Sequence, residues 1–276
     1  ALVHSRNLAT INLVSDLGVS TIRKRLEFLD VPHIPRDMSI ALGNLGLSPL
    51  KMAQIFSVFA NEGHMIAPRL VSKIVSKEGA VIYETRPKEI EDFTTPEQAY
   101  LMTDVLKEVV QRGTGRNARV EGIELAGKTG TTNNNIDAWF CGYSPTIETI
   151  VWFGRDDNKR IGSKATGGAL AAPAFAYYYK KLLELYPETK RTFDIPEGVY
   201  RGEYEGKSEL YTAQSPLPDS YKKPTQMYDE DNPYLVEETE ILEDIDPDNG
   251  EIGYAPTINI DEDPVSESGY NNSESE

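Results

Sequence analysis

The sequence predicts an α+β domain in which helices come first, three consecutive antiparallel strands follow, and one helix closes the fold. Three observations carry this. Apolar residues recur at helical spacing in the stretches before Gly113, the period shortens to two after Gly115, and an apolar, aromatic helical stretch returns from Ala171.

Leu2, Val3, Leu8, Ile11, Val14 and Leu17 fall at helical spacing, so one helix is expected over 2–17, stopped by Gly18 at a left-handed C′ position. Ser20 is the expected N-cap of a second helix over 21–29. Ser48-Pro49 opens a third, with serine as cap and proline in the first turn, running from Leu50 to Asn61 with Gly63 as the stop. Leu70 to Val75 and Val81 to Tyr83, joined across Glu78-Gly79, read as a β-hairpin. Thr95-Pro96-Glu97-Gln98 has the spacing of a capping box for a helix that ends at Gly113. Three strands are then expected over 124–128, 138–143 and 149–154. In the middle one Trp139, Cys141 and Tyr143 share a face, while Ala138, Phe140 and Gly142 share the other. The last helix spans about Ala171 to Leu185.

Charge divides the 276-residue chain. Its formal net charge is −16, yet residues 193–276 hold 23 acidic against 4 basic residues, leaving 21 acidic and 24 basic in 1–192. A near-neutral body offers no cationic surface for nucleic acid. We read 1–192 as the folded domain, 193–212 as its border, and 213–276 as a disordered acidic tail, too poor in apolar residues to offset its backbone entropy. The single cysteine, Cys141, excludes an internal disulfide and a cysteine metal site. His4, His33 and His64 lack metal-ligand spacing, so no metal is expected, and no cofactor is expected either. No apolar run is long enough for a membrane span. A helical pattern beginning at the first residue, Ala1, points to a piece of a longer chain.

The sharpest chemical signal is Ala126-Gly127-Lys128-Thr129-Gly130-Thr131-Thr132. A lysine on a strand, flanked by threonine hydroxyls, suits a carboxylate-bearing peptide laid along the strand edge. A glycine inside a strand weakens it unless something approaches the backbone closely. Alone, Lys-Thr-Gly reads equally as a strand end before a polar turn.

It does not stand alone. Asp137-Ala138-Trp139-Phe140, Gly142-Tyr143-Ser144-Pro145 and Val151-Trp152-Phe153-Gly154-Arg155-Asp156-Asp157 follow it. Arg112-Gly113-Thr114-Gly115 precedes it, Ser48-Pro49-Leu50-Lys51-Met52-Ala53 lies upstream, and Gly167-Gly168 with Ala171-Ala172-Pro173-Ala174-Phe175 lies downstream. In this order, over roughly 1–190, the chain resembles the transpeptidase domain of class A penicillin-binding proteins. The resemblance implies the serine β-lactamase/penicillin-binding-protein-like fold, with its N-terminal part missing here. It also implies a D,D-transpeptidase that cross-links peptidoglycan stem peptides by serine acyl transfer, within a bifunctional murein synthase whose glycosyltransferase and membrane anchor lie upstream. Stem peptides and β-lactams are the implied ligands, and the implied location is the outer side of the cytoplasmic membrane.

Of the family's three motifs, Ser-x-Asn matches Ser5-Arg6-Asn7 and Lys-Thr-Gly matches Lys128-Thr129-Gly130. By resemblance Ser5 joins the proton-relay network with Lys128, and Asn7 holds the substrate amide. Lys128, Thr129 and Thr131 hold its carboxylate along the Gly130 strand, and the Thr131 N–H is an oxyanion-hole donor. Without the resemblance, Ser5 and Asn7 read as solvent-facing polar residues of a helix. Ser-x-x-Lys should precede Ser5, where only four residues stand. Ser48-Pro49-Leu50-Lys51 is out of order and better explained as a helix cap, and Ser220-Tyr221-Lys222-Lys223 falls in the tail. The acylated serine is therefore expected upstream, and this piece alone is expected to be inactive. Asp137 and Asp156-Asp157 read as structural. The alternative reading is a non-catalytic partner-binding module acting through the tail, whose tyrosines are spaced from Tyr204 to Tyr270.

Overall fold

The computed structural model describes residues 1–86 and 89–218, with the side chains of 89–91 left aside. The expected acidic tail from 219 onward, including Ser220-Tyr221-Lys222-Lys223, lies outside the described residues. The first expected helix is two elements. A 3-10 turn over Leu2–His4 ends where Ser5 turns left-handed (φ 54°, ψ 47°), and α1 begins only at Asn7, running Asn7–Leu17. The apolar periodicity is blind to this break because one left-handed residue leaves the spacing nearly intact. Ser20 is not the cap of the second helix. Gly18, at φ 80°, serves as the end of α1 and the start of α2 (Val19–Phe28), so Ser20 lies inside the helix.

α3 (Pro49–Ala60) starts as the sequence predicts, with Ser48 Oγ accepting from the Lys51 N–H at 3.2 Å. β1 (His64–Ile66) follows, then β2 (Lys73–Val75) and β3 (Val81–Glu84), which form the expected antiparallel hairpin. β4 (Glu89–Asp92) pairs back with β1, a pairing the sequence reading missed. α4 (Pro96–Arg112) is capped by Thr95, but the capping box is half formed. The Gln98 amide turns away from the Thr95 N–H and donates to Thr212 Oγ1 at 2.7 Å.

The three central strands are β5 (Ala126–Thr131), β6 (Ala138–Tyr143) and β7 (Glu148–Phe153), antiparallel in the order β5-β6-β7. The first strand starts two residues later than expected, because Glu124 is engaged elsewhere: it pairs with Lys107 at 2.7 Å and accepts from the Phe193 N–H at 2.8 Å. Lys128 therefore sits within the strand, opposite Cys141. After a π-helical turn over Gly167–Ala171 comes α5 (Ala172–Leu185).

The period-two pattern of β6 places its side chains on opposite faces. Phe140 packs on Phe175 of α5 (centroids 4.6 Å apart) in a core with Val110, Leu125 and Tyr179. Tyr143 packs with Leu106 and Ala126, covered by Phe56, Phe59 and Phe193. Its hydroxyl meets Thr103 Oγ1 at 2.8 Å. A third cluster of Leu29, Val31, Val58 and Met65 joins the early helices to β1.

Beyond residue 192 the chain holds a further hairpin, β8 (Tyr200–Tyr204) and β9 (Lys207–Tyr211), turning through Glu205 and Gly206 with φ 50° and 74°. The signal was an aromatic alternation around Glu-Gly, diluted by charge. Ser215 still bonds the Gln98 side chain at 3.0 Å.

Candidate active site

The site is built on β5, an edge strand among the described strands, and a sheet edge is where an added peptide pairs. Lys128 Nζ donates to Ser5 Oγ at 2.8 Å and to the Thr129 carbonyl at 2.9 Å. Residues 123 positions apart are thus joined by one hydrogen bond. Both acceptors are neutral. Burial lowers the Lys128 ammonium from its ordinary value, opposed by the neighbouring Cys141. An ammonium held by neutral oxygens in a desolvated place gives up its proton more readily than a surface lysine.

Ser5 is brought there by the left-handed turn and by a close contact behind it. The Val3 carbonyl accepts from the Thr114 N–H at 3.2 Å. It also stands where a Cβ on Gly113 would be, 2.3 Å away. Gly113 thus admits the turn that carries Ser5, which the sequence reading of Gly113 as a helix stop did not reveal. Asn7 is the first residue of α1, exposed, with no side-chain hydrogen bond among the described residues.

The two threonines are tied from the other direction. Thr129 Oγ1 lies 2.7 Å from Thr114 Oγ1, and Thr131 Oγ1 accepts from the Gly167 N–H at 3.0 Å. A Cβ on Gly167 would stand 2.5 Å from the Gly130 carbonyl oxygen and 2.3 Å from that of Trp139. What approaches the strand glycine here is another stretch of backbone. Thr114 and Gly167 are site residues that the sequence reading quoted without assigning them a part.

Around Lys128 the sheet face holds two more titratable groups. Burial raises the Cys141 thiol to about 12, with Glu148 adding to the rise, so Cys141 is an unreactive neutral thiol. Burial raises Glu148 to about 8, and its Oε1 has no hydrogen-bond partner among the described residues. Asp137 is structural: it accepts from Trp152 Nε1 at 2.9 Å and from Thr132 Oγ1 at 3.2 Å. Asp157 is held well below the usual carboxylate range by its bonds to Arg155. Among the described residues no three His, Cys, Asp or Glu side chains gather to hold a metal, and His64 is paired with Asp92 at 2.5 Å. Ser48 is engaged in its cap, and Lys51 is drawn to Asp30 (3.1 Å) and Gln54 (2.8 Å), so this Ser-x-x-Lys match is part of a helix start.

Comparison with known proteins identifies the family of the domain that carries the lysine strand. The family model of the penicillin binding protein transpeptidase domain matches residues 32–180. The chain is 33% identical over 221 residues to penicillin-binding protein 1A of Neisseria gonorrhoeae, covering 77% of this chain and 27% of that protein. It is 36% identical over 196 residues to penicillin-binding protein 1A of Aquifex aeolicus, covering 71% and 27%. The chain thus spans about a quarter of the length of these relatives. In fold it is similar to the crystal structure of penicillin-binding protein 1A from Haemophilus influenzae, with TM-score 0.70 and 23% identity over 80% of this chain and 40% of that one. The D,D-transpeptidase domain of a peptidoglycan glycosyltransferase from Eggerthella lenta has TM-score 0.55 and 24% identity, over 68% and 53%. At these identities the two likenesses carry the fold alone.

Proposed function

The chain belongs to the penicillin-binding protein transpeptidase domain family, and from that premise we propose that it is part of a class A peptidoglycan D,D-transpeptidase. The observation that carries the proposal is the 2.8 Å bond from Lys128 to Ser5, which joins the Lys-Thr-Gly strand to the Ser-x-Asn turn. Lys128 and Ser5 form a proton relay, Asn7 orients the substrate amide, and Thr129 and Thr131 hold the terminal carboxylate of a stem peptide along Gly130. The proposal assigns the nucleophile to a serine of a Ser-x-x-Lys segment outside this sequence, since Ser48 is a helix cap. Its Oγ attacks the penultimate carbonyl, its proton passes through the relay to the departing D-alanine amine, and an ester forms. An acceptor amine then attacks that ester, forming the cross-link and returning the proton to the serine. A β-lactam acylates the same serine. No helix among the described residues is long and apolar enough to cross a membrane. The proposal places the anchor and a glycosyltransferase elsewhere in the protein, and this domain on the outer side of the cytoplasmic membrane.

The test is covalent labelling by a fluorescent penicillin of this chain beside the same protein extended upstream. Label is expected only on the longer polypeptide, at a serine in Ser-x-x-Lys, and Lys128→Ala in it is expected to slow labelling by roughly a hundredfold or more, as for loss of one relay group. Label on the short chain would refute the assignment of the nucleophile, and label on neither would refute the reaction.

A further inference from the structure

The acyl-transfer reading leaves one concavity beside the lysine strand without a role. A cavity of about 430 Å³ is lined by Gln111, Thr114, Arg116, Asn117, Arg119 and Gly168. It lies against the site because Thr114, one of its walls, is the residue whose hydroxyl meets Thr129 Oγ1 at 2.7 Å. A second wall is fixed by Asn117 Nδ2 donating to the Gly168 carbonyl at 2.9 Å. The short turn between them is pinned from beneath: Ala118 and Val120 are buried, while Arg116, Asn117 and Arg119 are exposed.

The electrostatics of this cavity are one-sided. Arg116 and Arg119 are among its lining residues, and no Asp or Glu is. Among the described residues neither Arg116 nor Arg119 has an ion-pair partner, whereas the nearby Arg112 is held by Glu108. Two like charges on one concavity repel, and an anion between them relieves that repulsion. Guanidinium forks match planar carboxylates with paired hydrogen bonds, and the side-chain amides of Gln111 and Asn117 add neutral donors.

We infer that this cavity is an anion subsite in which Arg116 and Arg119 recognise a free carboxylate of a peptide at the lysine strand. The inference deepens the transpeptidase reading and rests on it. The carboxylate has two possible sources, a side branch of the donor stem peptide or one of the acceptor stem.

The experiment uses the full-length protein, unsubstituted and as Arg116→Gln/Arg119→Gln, with stem peptides carrying that carboxyl either free or amidated. One arm measures D-alanine release from the donor alone, and the other measures cross-linked product at fixed donor and varied acceptor. In the unsubstituted protein the amidated peptide is expected to need a roughly tenfold or higher concentration for half-maximal rate in one arm, as for loss of a charge-assisted hydrogen bond. The glutamine variant is expected to lose this discrimination, and Arg116→Lys/Arg119→Lys to restore part of it by keeping the charge. Discrimination in the donor arm assigns the site to the donor, and in the acceptor arm to the acceptor. Equal use of free and amidated peptides in both arms, or unchanged discrimination in the glutamine variant, overturns the inference. Penicillin acylation of the unsubstituted protein reports on the transpeptidase reading separately, so labelling without discrimination removes only the subsite.

Discussion

Glu148→Gln separates charge from shape on the sheet face that carries Lys128. Glu148 stands opposite Tyr143 in β7, and burial raises its carboxyl from the ordinary 4.5 to about 8. The folded state therefore binds one proton more than the unfolded state between these values, and stability falls as pH rises through that window. Below 4.5 the group is neutral in both states and costs nothing, and above about 8 the whole penalty applies. At 1.36 kcal/mol per unit, the penalty is roughly 3 kcal/mol at pH 7 and roughly 5 kcal/mol at pH 9. Glutamine keeps the size of the side chain and removes the titration. The 276-residue chain and its variant are to be unfolded in urea at pH 5, 7 and 9, with free energies from linear extrapolation. The variant is expected to match the parent closely at pH 5 and to exceed it increasingly at pH 7 and 9. Parallel curves across the three pH values would refute the reasoning, because they would mean that Glu148 titrates alike in both states.

Gly113→Ala places a methyl group 2.3 Å from the Val3 carbonyl oxygen, which is backbone and cannot swing aside. A loss of about 1–3 kcal/mol in urea unfolding is expected, together with weakened penicillin acylation of the full-length protein as the Ser5 turn moves off Lys128. Gly167→Ala meets two backbone carbonyl oxygens, at 2.3 and 2.5 Å, and is expected to cost about 3 kcal/mol in urea unfolding and to break the bond to Thr131, read as faster hydrogen exchange of the residue 167 amide. Thr103→Val strands the buried Tyr143 hydroxyl and is expected to cost about 1–3 kcal/mol, most of it regained in Thr103→Val/Tyr143→Phe, where no polar group is left unpaired. A double variant no more stable than the single one would contradict this.

Features decided within one or two turns of chain were legible in the sequence. Ser48-Pro49 and Thr95-Pro96 mark helix starts because the capping oxygen and the N–H it satisfies are three residues apart. The alternation from Ala138 to Tyr143 marks a strand with two distinct faces because neighbouring side chains must point oppositely. The lysine strand and the order of its companion motifs identified the family from sequence, and the family model agrees. Tertiary structure alone decided the rest. The helix break at Ser5 is set by a backbone contact with Gly113, more than a hundred residues away, which no local propensity encodes. The same holds for Lys128 on Ser5, Thr114 on Thr129 and the burial of Glu148 on its sheet face. Proximity and desolvation are properties of packed surfaces. They arise only when loops close and faces meet, whereas caps and periods are written in adjacent residues.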